Sequence, residues 1–113
     1  METKELYAKA LSKYGIQAQS DMFIEEAGEV TEVILKGRRK GIDLDKLADE
    51  LADVIIIIEQ LVQHYELHDK VIERKKFKRG RLESRLDEET KIRGDIDIRP
   101  GGNAPTDTIK QED

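Results

Sequence analysis

Five consecutive β-branched residues, Val54-Ile55-Ile56-Ile57-Ile58, constrain this chain more than any other stretch. Such a run favours strand by intrinsic preference. Its flanks point the other way. "DKLADELAD" before it and "EQLVQHYE" after it continue a helical spacing, with no turn residue between. The run is read as the middle of a helix from an N-cap at Asp43 to about Tyr65, with a buried strand as the alternative. The capping box is partial, because Lys46 stands where Glu or Gln is expected. A helix apolar on nearly every side is a central one, enclosed by others.

The other segments supply the enclosure. Lys4 to Tyr14 is a short amphipathic helix with Leu6, Ala10 and Leu11 at helical spacing, ended by Gly15. Ala18 to Lys36 carries the stripe Phe23, Ala27, Val30 and Ile34 and is expected to stop at Gly37, with "GRRKG" as a basic turn. A fourth helix starts at His68 or Asp69 and runs towards Leu86 through Val71, Ile72, Phe77 and Leu82, with Gly80 as its weak point. With only 4% aromatic residues and no Trp among 113, the core must come from Leu, Ile, Val and Ala, which suits packed helices. The fold class is all-α, a four-helix bundle over residues 1–87. From Glu88 the chain carries both prolines and three of its eight glycines, and reads as a flexible or partner-packed tail, 88–113, in which "DIDI" offers a short strand.

Charge and composition exclude several classes. The 25 acids outnumber 20 bases, so general nucleic-acid binding is not expected. Without cysteine there is neither a disulfide framework nor thiolate chemistry. No signal peptide is recognisable, and the Val54–Ile58 run is too short to cross a bilayer, so a cytoplasmic protein without a membrane partner is expected.

The chemistry lies in two acid clusters. Glu26 and Glu29 share one helix face at a spacing of three, and Glu50 and Asp53 repeat that spacing on the third helix. A tight turn makes these helices antiparallel neighbours, so the pairs can meet. Converging carboxylates repel unless a cation neutralises them, and such hard oxygen ligands suit Mg²⁺, or Mn²⁺, rather than zinc. Set against this is a solvated acidic face that only aids solubility. It is weakened by Leu51, Ile55, Ile58 and Val62, which are expected to form a core stripe beside Glu50 and Asp53. A ferritin-like di-iron site would need Glu-x-x-His on two helices, and neither His64 nor His68 has that partner.

The fourth helix carries the opposite sign. Lys78, Arg81 and Arg85 form one stripe if the helix continues through Gly80, and Lys and Arg beside a metal-binding acid cluster would hold a polyphosphate. The alternative is a solvated basic face, in keeping with Arg74, Lys75, Lys76 and Arg79 nearby. A Walker-type phosphate loop is missing from the sequence.

Glu25-Glu26-Ala27-Gly28-Glu29 followed by Glu50-Leu51-Ala52-Asp53 resembles the signature of the MazG-like all-α nucleoside triphosphate pyrophosphatases. The likeness spans about Tyr14 to Leu86. "YGIQAQSDMFIEEAGEV", "ELADVIIIIEQL" and "KRGRLESRL" look like the small stand-alone members of Gram-positive bacteria and their phages. The resemblance implies hydrolysis of a nucleoside triphosphate between the α and β phosphates, in nucleotide-pool housecleaning. It assigns Glu26, Glu29, Glu50 and Asp53 to Mg²⁺, Glu25 to the attacking water or to supporting a ligand, and Lys78, Arg81 and Arg85 to phosphates. Gln19 resembles a glutamine found at that point in the small members, and is expected either to touch the base or sugar or to be a plain polar surface residue. Homodimers or homotetramers that share core are also implied.

Two departures narrow the expectation. Phosphoribosyl-ATP pyrophosphohydrolases continue Glu-x-x-Asp with Tyr-His, whereas Asp53 is followed by Val54 and isoleucines, which disfavours histidine biosynthesis. Larger MazG proteins carry an Asn-containing segment in the last helix, where this chain has "KFKRGRLESR". The rival of a different class is a non-catalytic helical interaction or nucleotide-binding module with a degenerate site.

Overall fold

The Val54–Ile58 run is helical. In a computed structural model, whose described residues are 1–96 with side chains through 91, four helices follow one another: α1 (Thr3–Tyr14), α2 (Ile16–Lys40), α3 (Leu44–His64) and α4 (His68–Ile96). Among the described residues there is no strand. The chain divides into two units, Met1–Ile72 and the residues from Glu73 onward.

In the first unit α2 and α3 form an antiparallel pair, joined by the turn Gly41–Asp43. Gly41 has φ +92°, a left-handed value that an L side chain rarely adopts, and its N–H caps Gly37 O at 2.9 Å. Asp43 then starts α3, its carboxylate accepting from Lys46 N at 3.1 Å. The end of α2 differs from the sequence expectation. The helix passes through Gly37 and includes Arg38, Arg39 and Lys40. Gly37 is not a stop signal but a point of close approach. A Cβ there would lie 3.0 Å from both Cα and Cβ of Ile42, which returns over it from the turn.

α1 is tied to the C-terminal half of α3. Tyr7 donates to Glu59 Oε1 at 2.5 Å, and Gln63 Nε2 donates to the carbonyl of Lys4 at 3.0 Å. α3 ends in a Schellman arrangement, with Leu67 N bonded to Val62 O and Glu66 N to Gln63 O. Its left-handed position is filled by Glu66, at φ 55°, where glycine is usual.

The core is small and half polar. Among the described residues, Tyr7, Val33 and Ile57 are the buried apolar ones, and Gln19, Glu50 and Gln60 are buried with them. This corrects the expected stripe on α3. The face turned inward runs through Leu47, Glu50, Val54, Ile57 and Leu61, whereas Leu51, Ile55 and Ile58 are 40%, 51% and 42% exposed. Val54 and the four isoleucines after it put apolar side chains on both stripes, so this run does not reveal which face meets α2.

α4 is continuous through Gly80 and extends ten residues past Leu86, so the expected tail begins as helix. Asp95 and Ile96, half of the expected "DIDI" strand, close the helix, and the remainder of that segment lies outside the described residues. Its described side chains, from His68 to Lys91, are all exposed.

Candidate metal centre

Glu26 of α2 meets Glu50 and Asp53 of α3 across the antiparallel interface. One carboxylate oxygen from each lies within 4.8 Å of the others. The helices place them by simple register. Glu50 and Asp53 are one turn apart on α3, and Glu26 faces them from α2. The set is graded in exposure: Glu50 is buried, Glu26 half-buried and Asp53 exposed, so the group opens to solvent on the Asp53 side.

The electrostatic consequence falls on Glu26. Its carboxyl is held above the ordinary carboxylate range, first by loss of water and then by the charges of Asp53, Glu50, Glu29 and Glu25. Among the described residues, one basic side chain pairs with this group. Lys46 Nζ lies 3.6 Å from Glu50 Oε2. The donors are all carboxylate oxygens, with no His in the group, and such a set fits a hard divalent cation such as Mg²⁺ or Mn²⁺.

Three of the four acids expected as ligands are therefore brought together. Glu29 is exposed, one turn further along α2, and stands outside the group of three while adding to the field on Glu26. Glu25 is also exposed and acts on Glu26 in the same sense. Lys78, Arg81 and Arg85 lie in the second unit on an unbroken, exposed stretch of α4, and Arg81 stands 6.0 Å from the ring of Phe77. Gln19 is buried rather than a surface residue. Its amide donates to Gln60 Oε1 at 2.8 Å, seven residues from Glu26 along α2.

Two residues of this neighbourhood were not singled out from the sequence as site residues. Lys46 reads in the sequence as a poor capping residue, although its spacing of four from Glu50 puts it within reach. Gln60 could have been found by symmetry: it follows Asp53 by seven residues as Gln19 precedes Glu26 by seven. Comparison with protein-family models, with curated proteins and with solved structures gives no match.

Proposed function

We propose that the chain is a Mg²⁺-dependent nucleoside triphosphate pyrophosphohydrolase of the MazG-like all-α type, cleaving between the α and β phosphates. One observation carries this reading: carboxylates far apart in sequence, Glu26 against Glu50 and Asp53, converge around a half-desolvated point. In this reading Glu26, Glu50 and Asp53 hold the ion, and Glu29 supports them from the next turn. A bound divalent ion supplies acidity to water and draws charge from phosphate. Glu25 orients the water, and Lys78, Arg81 and Arg85 bind phosphate oxygens. Gln19 contributes to nucleoside binding from the interface it shares with Gln60.

The same reading takes the protein as a cytoplasmic homodimer or homotetramer. Leu51, Ile55, Ile56 and Ile58 form an exposed apolar surface on α3, and burying it against a second copy would enlarge a core that, among the described residues, has three buried apolar side chains. Among the described residues, no helix is long and apolar enough to cross a membrane. The test is pyrophosphate release from a panel of ribo- and deoxyribonucleoside triphosphates, with Mg²⁺ and with EDTA. Release from at least one substrate that stops with EDTA is expected. No metal-dependent release from any of them would leave the helical interaction module as the better reading.

A further inference from the structure

Lys46 is poorly placed by every local rule of helix stability. It is the third residue of α3, where a capping box takes Glu or Gln and where the helix dipole opposes a cation. Lys followed by Glu at a spacing of four is also the weaker orientation for a helical ion pair. Its Nζ nevertheless lies 3.6 Å from Glu50 Oε2, on the buried member of the three-carboxylate group. The Glu50 side chain is 10% exposed and that of Lys46 55%, so the ammonium reaches from solvent onto an acid largely withdrawn from it.

The geometry points to Lys46 as a built-in counterion of the acid cluster, holding Glu50 in the metal-free protein and leaving it when a divalent cation binds. This rests on the metal-centre reading above and adds a residue that competes with the ion. The displaced ammonium has somewhere to go. Lys46 lines a groove of about 260 Å³ at the α2–α3 turn, whose lining includes the acids Glu32 and Asp43 beside Lys36 and Lys40. Lys36 there is paired with Glu32 at 3.9 Å and does not touch the cluster, which makes it a fair control for loss of charge alone.

The experiment is Mn²⁺ binding to the full chain without nucleotide, followed by the electron paramagnetic resonance signal of the free ion. Lys46→Met is expected to bind Mn²⁺ roughly two- to fivefold more tightly than the wild type, the scale of an ion pair with one exposed partner. Lys46→Arg should stay near the wild type, and Lys36→Met should shift far less than Lys46→Met. Equal shifts in the two Met variants would reduce the effect to general charge and overturn the counterion role. So would unchanged or weaker binding in Lys46→Met. If neither the wild type nor any variant binds Mn²⁺, the metal-centre reading falls and this inference with it. If the wild type binds and only the Lys46 contrast is missing, the metal centre stands and the counterion does not.

Discussion

Gln19 donates to Gln60 at 2.8 Å inside the α2–α3 interface, seven residues along each helix from Glu26 and Asp53. Both glutamines are buried, so the pair links the same two helices that the acid cluster bridges, about 10 Å further along. A buried amide pair pins the register of a helix interface, because sliding either helix strands a polar group.

Removing one glutamine should therefore cost more than removing both. Gln19→Leu or Gln60→Leu is expected to destabilise by about 1–3 kcal/mol, with the partner left unsatisfied. The double substitution should recover part of that loss. Urea unfolding of the four proteins measures the coupling, and additive effects would mean that the hydrogen bond carries no weight.

The carboxyl of Glu26 is raised by burial and by its acidic neighbours, so in the metal-free protein its ionised form disfavours folding. Stability from the protonated group is full below the ordinary glutamate value and is lost as pH rises through the raised one. Without metal, Glu26→Gln should melt higher than the wild type near neutral pH, and saturating Mg²⁺ should narrow or reverse that gap. A lower melting temperature for Glu26→Gln in EDTA would show that the cluster is not a site of charge strain.

The Tyr7 phenol is pushed up to about 12 by its hydrogen bond to Glu59, then by burial and by the charge on Glu59. The folded value is raised above the unfolded value of 10.0, so its stabilisation is complete below pH 10.0 and disappears towards pH 12. Tyr7→Phe should lose about 1–2 kcal/mol at pH 7 and remove this alkaline component. Chemical denaturation at neutral and alkaline pH separates the two effects.

Glu66 occupies the left-handed position of the Schellman turn at φ 55°. Glu66→Gly should stabilise the protein by about 0.5–1 kcal/mol, since an L side chain is strained there. A destabilised variant would mean that the Glu66 side chain contributes more than the turn loses by carrying it.

The exposed α3 surface calls for a direct measurement of mass. Sedimentation equilibrium should give a dimer or tetramer, and Ile55→Lys should shift it towards monomer. A wild-type monomer at high concentration would remove the shared-core proposal.

How much could be read from the chain alone followed the range of the interactions. The Asp43 cap depends on neighbours three residues away, and it was legible. The helical state of Val54–Ile58 followed from its flanks, and the approach of Glu26 to Glu50 and Asp53 followed from spacing and a short turn. Gly37 has the look of a stop in the sequence because its partner, Ile42, meets it only after the chain reverses. The inward face of α3 was misassigned for a related reason. Leu51, Ile55 and Ile58 are as apolar as Val54, Ile57 and Leu61, and only the position of α2 distinguishes the two stripes. Lys46 gives no site signal in the sequence because its partner is the charge of Glu50, not the cap where it sits.

The most direct measurement is product stoichiometry with Mg²⁺ for the wild type and for Asp53→Asn, with the helical circular dichroism of both recorded. The wild type should release one pyrophosphate per nucleoside monophosphate, and Asp53→Asn should keep its helical signal while losing turnover by about a hundredfold or more, as expected when transition-state charge stabilisation is removed. Undiminished turnover in folded Asp53→Asn, or release of nucleoside diphosphate and inorganic phosphate instead, would contradict the assignment.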